Sequence, residues 1–383
     1  MTHPHLRTPA GRPRARALGI PFQGEAGPLN AITDVPGVEV GYATRVEGEA
    51  VRTGVTAIHP RGRGDAATPV AAAFHCQNGN GEMTGVSWIG ESGTLAGPVA
   101  ITSTHAVGTV HRAVVDWTLA RHPALARAWL LPVVGETWDG YLNDPARGHV
   151  AAAMAISALD EAAGGPIEEG SVGGGTGMVC YGFKGGSGTA SRRVPFAGRE
   201  WSVGVLVQAN FGRRRELTIA GARLGERLAD DDPADARADA PPGSGSVIVV
   251  IATDAPLLPH QLATLARRAP LGLARTGTTG SHYSGDLVLA LSTANAGALA
   301  PYGLRAADST EALASLAFVP WRFIDPFCEA VVQGVEEAVV NSLVANEAMT
   351  GRDGHRVPAL PPARAMDLAG WIAPGEPERS ATR

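Results

Sequence analysis

Runs of apolar residues divide the chain into short strands and longer helical stretches. Segments with the continuous or alternating apolar pattern of β-strands are 99–102, 201–208, 246–253 and 286–292. Segments with apolar residues at helical spacing are 104–121, 147–163, about 259–269 and about 326–348. Because strands and helices are mixed along the chain, the pattern predicts a layered α/β or α+β fold.

A polar segment at residues 228–245 interrupts this pattern. It is rich in Asp, Ala, Pro and Gly, and we predict that it is a flexible linker inside one domain spanning 1–383. A surface insertion without any function would have the same composition, so both interpretations stay open at this point. Residues 1–18 and 372–383 lack apolar patterning and are predicted to be disordered ends.

Composition and charge argue against several classes of protein. The formal net charge of −5 at pH 7 argues against a nucleic-acid or anionic-membrane partner. The sequence has no apolar run long enough to span a membrane, and its N-terminus lacks the apolar region of a secretory signal. Three widely spaced cysteines do not form a zinc motif and fit a reducing compartment, so we predict a cytoplasmic protein without a metal site.

Two glycine-rich segments do not fit nucleotide-binding motifs. Segment 171–178 lacks the setting and the downstream acidic residue that a dinucleotide-binding motif requires. Segment 177–184 resembles a phosphate-binding loop only until its phenylalanine breaks the Gly-Lys-Ser/Thr ending by standing where the lysine is required. His75, His105 and His282 are candidates for a pocket, but a lone histidine is more often structural than catalytic.

The bond between Gly245 and Ser246 joins the polar segment to a buried strand. A chain cut at this bond would have Ser246 as a new N-terminus. That residue would carry both a hydroxyl nucleophile and an amine able to act as its base.

Three further segments place polar side chains where a strand begins or ends. Glu136 and Trp138 follow an apolar stretch, Asn210 ends another, and Ser284 precedes a third. Pockets of layered proteins form at such positions. Asn, Asp, Ser and Gly are also ordinary turn residues, so each segment alone has a structural explanation.

Together these segments resemble the L-aminopeptidase/D-esterase family, which includes the β-peptidyl aminopeptidases. The resemblance extends over nearly the whole chain, and its matching segments are 30–41, 136–144, 173–186, 206–210, 249–259 and 341–349. It implies an α+β fold, a four-layer αββα sandwich like that of N-terminal-nucleophile hydrolases with different connectivity. It implies no metal or organic cofactor, and it implies a homo-oligomer, commonly a tetramer of α/β pairs.

The resemblance also implies self-cleavage between Gly245 and Ser246, into an α chain of 1–245 and a β chain of 246–383. Gly243-Ser244 is an alternative bond. We favour Ser246 because it directly adjoins the strand, and a catalytic group needs a rigid element beneath it.

Catalytic roles follow from the same resemblance. Ser246 matches the nucleophile, and its own amine would serve as the base. Ser284 and Asp286 match positions that hydrogen-bond the nucleophile and its amine. Asn210 matches the donor to the oxyanion, the negatively charged oxygen of the tetrahedral intermediate.

Substrate binding is also implied. Glu136 matches the acid that binds the free amino group of the substrate. Trp138 stands where some relatives have a tyrosine that assists the oxyanion, and an indole offers only one N–H for that purpose.

The implied reaction releases N-terminal residues from small peptides, amides or esters with a free amine, through an acyl-enzyme on Ser246. L-amino, D-amino ester and β-amino substrates all stay open. An acyltransferase of related fold is an alternative, although that chemistry uses a threonine nucleophile. A non-catalytic ligand-binding member of the family is another, although the complete set of site residues argues against it.

Overall fold

The computed structural model describes residues 3–230, 232–233, 244–299 and 313–373. Most of the predicted linker at 228–245, and residues 374–383 of the predicted disordered C-terminus, lie outside these ranges. Among the described residues, no helix has the length and apolar character needed to cross a membrane.

Strands and helices are interspersed along the described chain. The strands are β1 Glu39–Glu47, β2 Val51–His59, β3 Val70–Gly79, β4 Thr94–Leu95, β5 Val99–Ser103, β6 Val133–Thr137, β7 Val179–Cys180, β8 Phe183–Lys184, β9 Gly186–Phe196, β10 Arg199–Asn210, β11 Thr218–Ile219, β12 Ala222–Arg223, β13 Gly245–Thr253, β14 Ser284–Ser292, β15 Met349–Thr350 and β16 Arg356–Val357. The α-helices are α1 Val86–Ser92, α2 Val107–Arg121, α3 Ala152–Asp160, α4 Pro259–Ala266, α5 Ala269–Arg275, α6 Asp325–Val344 and α7 Pro362–Ala369.

Two sheets form the centre of the molecule. The smaller has the order β1-β2-β5-β6, with β5 and β6 parallel and the other pairs antiparallel. The larger has the order β4-β3-β14-β13-β10-β9, with β13 and β14 parallel. Strands before residue 228 and after residue 245 therefore share one sheet, and β13 lies in its interior.

An apolar core fills the space between the two sheets. Ile248 and Val250 of β13 and Leu206 of β10 belong to the same cluster as Ile101 and Val133 of the smaller sheet. Because side chains alternate along a strand, the remaining apolar residues of β13 point to the other face. This alternation explains why β13 is buried on both faces and reads as a continuous apolar run.

Helices cover the outer face of each sheet. Val247 and Val249 of β13 cluster with Leu262 of α4 and with Phe327 and Val335 of α6. On the other side, α2 and α3 pack on the smaller sheet in a separate cluster. The order of layers is helix, sheet, sheet, helix, which confirms the predicted αββα sandwich of the α+β class.

The N-terminal segment is packed against the fold. The prediction that residues 1–18 are disordered is wrong for residues 3–18, because Arg14, Ala15 and Leu18 are buried. Arg14 Nε donates to Glu169 Oε2 at 2.6 Å, and both side chains are almost fully buried. A basic, proline-rich composition resembles a tail, but here the arginines have acidic partners that are distant in sequence.

Candidate active site

Ser246 lies at the N-terminal end of β13, between two neighbouring strands. It pairs with Asn210 of the antiparallel strand β10 and with Gly285 of the parallel strand β14. Its side chain is almost completely buried. The preceding Gly245 is already part of β13, so the predicted cleavage bond lies within the first residues of the strand.

Two N–H groups converge on the hydroxyl of Ser246. The side-chain amide of Asn210 donates to Ser246 Oγ at 3.2 Å, and the backbone N–H of Trp138 donates to the same oxygen at 3.2 Å. The donors come from different sheets, because Asn210 ends β10 and Trp138 follows β6. Two N–H donors aimed at one point can stabilise a developing negative charge on an oxygen there.

The orientation of the Asn210 amide is fixed from its other end. The backbone N–H of Val179 donates to Asn210 Oδ1 at 2.9 Å. Asn210 Nδ2 also donates to the carbonyl oxygen of Trp138 at 2.8 Å. Since the amide oxygen is occupied by an N–H donor, its NH₂ group must face Ser246.

Ser284 and Asp286 form a hydrogen-bonded pair on the neighbouring strand β14. Ser284 Oγ donates to Asp286 Oδ1 at 2.6 Å, and Asn78 Nδ2 donates to Asp286 Oδ2 at 3.0 Å. Burial raises the pKa of the Asp286 carboxyl, and these two hydrogen bonds partly offset that effect. The site therefore holds a carboxyl that is oriented by two neutral donors.

The register of β14 shows where this pair lies relative to the nucleophile. Ser284 is opposite Gly245, and Asp286 is opposite Val247. By strand alternation both side chains lie on the face opposite to that of the Ser246 side chain. Within the described residues, the Ser246 hydroxyl is hydrogen-bonded to the Trp138 N–H and the Asn210 amide rather than to Ser284.

Glu136 is a buried carboxyl at the end of β6. The hydroxyl of Thr104 donates to Glu136 Oε2, and the backbone N–H of Glu82 donates to Glu136 Oε1 at 3.0 Å. Burial raises the pKa of Glu136, while these hydrogen bonds act in the opposite direction. Glu136 is two residues before Trp138, so it lies close along the chain to one of the donors to Ser246.

Half-exposed aromatic side chains mark the outer part of the site. The Trp138 indole contacts the His105 ring edge-on, with the ring centroids 5.4 Å apart. Tyr283 is next to His282, with ring centroids 4.1 Å apart. His75, the third candidate histidine, lies on β3 and pairs with Val288. Among the described residues, none of these histidines hydrogen-bonds to the Ser246 hydroxyl.

The described part of the chain contains no cluster of three or more His, Cys, Asp or Glu side chains able to hold a metal ion. The polar groups around Ser246 are instead neutral N–H and O–H donors and two separate carboxyls. Such a set is suited to acyl transfer by a hydroxyl nucleophile.

The structure brings together most of the residues that the sequence singled out. Ser246 and Asn210 are in direct contact, and Trp138 contacts Ser246 through its backbone rather than its indole. Ser284 and Asp286 contact each other on the adjacent strand.

Sequence reasoning missed Asn78, which ends β3 in an Asn-Gly stretch of the same kind as the segments that were noticed. It also missed Thr104, which binds Glu136. No sequence signal identifies the Trp138 N–H, because nearly every residue has a backbone N–H.

Comparison with known proteins gives consistent matches over most of the chain. Residues 30–357 match the model of peptidase family S58. The beta-peptidyl aminopeptidase BapA of Sphingosinicella microcystinivorans is 47% identical over 369 residues, covering 92% of this chain and 90% of that protein.

Solved structures are similar over the same extent. The L-aminopeptidase D-Ala-esterase/amidase of Ochrobactrum anthropi, described as a serine aminopeptidase with a variant of the Ntn hydrolase fold, has a TM-score of 0.87 at 46% identity. That match covers 94% of this chain and all of the other. A Burkholderia sp. beta-aminopeptidase has a TM-score of 0.83 at 45% identity, covering 95% of this chain and all of the other.

Proposed function

This chain belongs to peptidase family S58, and we propose that it is an aminopeptidase that cuts itself between Gly245 and Ser246. The products would be an α chain of 1–245 and a β chain of 246–383, which stay together as one catalytic unit. The observation that carries the proposal is the position of Ser246. Its hydroxyl lies between two N–H donors at the end of a buried strand.

Self-cleavage can proceed with the two residues of the bond and one water molecule. Ser246 Oγ attacks the carbonyl carbon of Gly245, and the hydroxyl proton passes to the Ser246 nitrogen. The C–N bond then breaks, leaving an ester between the Gly245 carbonyl and Ser246 Oγ. Water hydrolyses this ester, giving a carboxylate on Gly245 and a free amine and hydroxyl on Ser246.

In turnover, the freed amine of Ser246 acts as the base. An α-amine has a pKa of about 7.7–8.0, so part of it is neutral near pH 7 and can accept the Oγ proton. Oγ attacks the substrate carbonyl, and the ammonium then returns the proton to the departing amine or alcohol. Water releases the acyl group by the same steps in reverse.

The oxyanion of the tetrahedral intermediate would be bound by the donors that contact Ser246 Oγ in the uncut chain. These are the Asn210 side-chain amide and the Trp138 backbone N–H. Removal of one such donor from a serine hydrolase raises the barrier by about 2.7–4 kcal/mol. The Trp138 indole is not required for this role.

Ser284 and Asp286 would orient the new amine. Ser284 is opposite Gly245 in the parallel strand, which brings it next to the bond to be cut. A carboxylate near the amine stabilises its protonated form, as an aspartate does for histidine in a catalytic triad. The Ser284–Asp286 hydrogen bond would hold both groups in place for that contact.

Glu136 would bind the free amino group of the substrate. Its carboxyl is buried, lies near Trp138 in the chain and is held by the Thr104 hydroxyl and the Glu82 N–H. A buried carboxylate without a cationic partner gains most from an ammonium ligand. This preference would confine the enzyme to N-terminal residues.

The relatives named above are a beta-peptidyl aminopeptidase, an L-aminopeptidase D-Ala-esterase/amidase and a beta-aminopeptidase. We propose small peptides, amides or esters with a free amine as substrates of this chain. A panel of chromogenic L-, D- and β-aminoacyl amides, with matched N-acetyl compounds, would rank them. Excess added amine would show acyl transfer if that reaction outruns hydrolysis.

The decisive test is a denaturing gel with intact-mass analysis of the purified full chain. We expect two fragments for the wild type with masses matching 1–245 and 246–383, and one uncut chain for Ser246→Ala. Ser244→Ala is the matched control and should still be cut. An uncut, inactive wild type, or loss of cleavage in Ser244→Ala alone, would contradict the assignment.

The proposal includes a homo-oligomer, with a tetramer of α/β pairs as its expected form. Light scattering of the processed protein would give the mass directly. A mass of one α/β pair would contradict this part without affecting the chemistry at Ser246.

A further inference from the structure

Lys184 is the single lysine of the chain, and it is completely buried. Its ammonium nitrogen Nζ donates to the carbonyl oxygens of Met178 at 2.9 Å and Gly185 at 2.8 Å. In the described part of the chain it forms no ion pair with a carboxylate. Burial lowers the pKa of Lys184 to about 7, because a buried charge without an ionic partner is costly. The presence of a lysine at this position therefore calls for an explanation beyond packing.

The Met178 carbonyl belongs to the peptide that fixes Asn210. This peptide joins Met178 to Val179, and its N–H donates to Asn210 Oδ1 at 2.9 Å. Lys184 and Asn210 therefore bind the two ends of one peptide group, whose carbonyl oxygen also accepts a hydrogen bond from the backbone N–H of Gly185 at 3.0 Å. If this peptide moved or rotated, the Asn210 amide would lose the contact that makes its NH₂ group face Ser246.

Met178 also contacts the element that carries the second donor. Its sulfur accepts a hydrogen bond from Thr137 Oγ1 at 2.8 Å, and Thr137 immediately precedes Trp138. Gln208 Nε2 donates to the same hydroxyl oxygen at 2.6 Å. The Met178–Val179 segment thus contacts the side chain of Asn210 and the side chain of Thr137, the residue before Trp138.

From these contacts we infer that Lys184 is a positioning residue for the oxyanion site. Its ammonium fixes the Met178–Val179 peptide, and this peptide holds the Asn210 amide in the productive orientation. The inference rests on the proposed function, in which Asn210 binds the oxyanion. Lys184 acts only through Asn210 and Trp138, since it does not contact Ser246.

The test compares steady-state kinetics of processed wild type, Lys184→Met and Lys184→Gln on the same aminoacyl amide. Lys184→Met retains an unbranched side chain, one atom shorter than lysine, and removes every donor. We expect kcat about tenfold to hundredfold lower with KM within about twofold, because the loss affects the transition state alone. Removal of a direct oxyanion donor costs about 10²–10³ in kcat. Lys184→Gln retains an N–H donor and should recover part of the loss.

Asn346→Ala is the matched control. Asn346 Nδ2 donates to the carbonyls of Lys184 and Gly185 at 3.2 and 2.9 Å, so it supports the same backbone without contacting Met178. We expect this variant to lose thermal stability and to keep the wild-type kcat per processed enzyme. If Lys184→Met does not fold, Lys184→Gln against Asn346→Ala makes the same comparison.

A double-mutant cycle with Asn210→Ala completes the test. If Lys184 acts mainly through Asn210, Lys184→Met should lower kcat little further in the Asn210→Ala background. Independent, multiplicative losses would overturn the inference, as would wild-type kcat in both Lys184 variants. An uncut or inactive wild type would instead contradict the proposed function and would be recognised before any variant is compared.

Discussion

At the scale of single residues, the site combines groups whose charge depends on pH with groups that are always neutral. The donors to Ser246 Oγ are an amide and a backbone N–H, which do not titrate. Glu136 and Asp286 do titrate, and burial raises the pKa of both carboxyls. Substrate binding should therefore depend on pH through Glu136, and the chemical step through the amine of Ser246.

The pH dependence of KM should report Glu136. In the proposed function its carboxylate form binds the substrate ammonium, and this form is lost as the pH falls through the raised pKa. KM of the wild type should therefore rise on acidification at a higher pH than the ordinary glutamate value of 4.5 would allow. Glu136→Gln should raise KM roughly tenfold to hundredfold, as expected for a lost charged hydrogen bond of about 1.5–3 kcal/mol, and should abolish this pH dependence.

Asp116→Asn is a suitable control, because it removes an exposed carboxylate that pairs with Arg112 on α2. Its KM should follow the wild-type curve. An unchanged pH dependence of KM in Glu136→Gln would assign the titration to another group.

The part of the site that depends on side-chain chemistry could be predicted from the sequence. The hydroxyl of Ser246 and the amide of Asn210 were predicted, and they are in contact. For Trp138, the sequence pointed to the indole N–H as the only side-chain donor. In the structure, the backbone N–H of Trp138 donates to Ser246 Oγ instead. A backbone donor depends on how the chain turns after β6, and this turn has no signature in side-chain chemistry.

At the scale of secondary structure, β13 explains why a glycine precedes the nucleophile. A Cβ atom on residue 245 would lie 2.5 Å from the carbonyl oxygen of Asn210 and 3.0 Å from the Cα of Phe211. Both neighbours are backbone atoms, which cannot move without displacing β10. A glycine thus allows the start of β13 to lie close to β10, the strand that carries the proposed oxyanion donor Asn210.

Gly245→Ala should slow self-cleavage by at least about tenfold, because displacement of reacting groups by about 1 Å can cost 10²-fold in rate. The measurement is the fraction of cut chain against time after synthesis. Gly243→Ala, upstream of β13, is the matched control and should be cut at the wild-type rate. The opposite result would place the cleavage bond at Gly243-Ser244.

The strands and helices with apolar patterning were the ones that the sequence predicted best. The predicted strand 246–253 corresponds to β13, and the predicted helix at about 326–348 corresponds to α6. Strand β9 was not predicted, because it consists largely of small and polar residues. Its Gly188 lies where a Cβ atom would be 2.0 Å from the Ala338 carbonyl oxygen of α6. Close helix packing, rather than hydrophobicity, selects such residues.

At the scale of the whole molecule, buried ion pairs connect the N-terminal segment to α6 and to the loop between α3 and β7. Arg16 and Arg192 share Glu337 of α6, with N–O distances of 2.6 and 2.8 Å. Arg14 pairs with Glu169. The partners are separated by more than a hundred residues in all three pairs, so local sequence patterns could not reveal them.

Arg14 is the most extensively bonded of these residues. Its guanidinium donates to the carbonyl oxygens of Pro4, Leu29, Asn30 and Thr189 and to both oxygens of Glu169. Removal of one partner of a buried pair leaves the other charge uncompensated, which costs about 3–5 kcal/mol. Since none of these groups contacts Ser246, the loss should affect stability and leave the chemistry intact.

Arg14→Ala should therefore lower the free energy of unfolding by about 3–5 kcal/mol and leave kcat per folded enzyme unchanged. Burial already raises the pKa of Glu169 despite the attraction of Arg14, and the variant removes that attraction. At pH values between the ordinary and the raised pKa, the Glu169 carboxyl is protonated in the folded variant and ionised in the unfolded chain. The stability of the variant must rise as the pH falls through this window, so the deficit against wild type should shrink on acidification. Denaturant unfolding at several pH values measures this deficit in the free energy of unfolding.

Arg7→Ala is the matched control, because Arg7 is an exposed arginine of the same segment, and it should show no deficit. A deficit of Arg14→Ala that is constant with pH would mean that Glu169 is not the group left uncompensated.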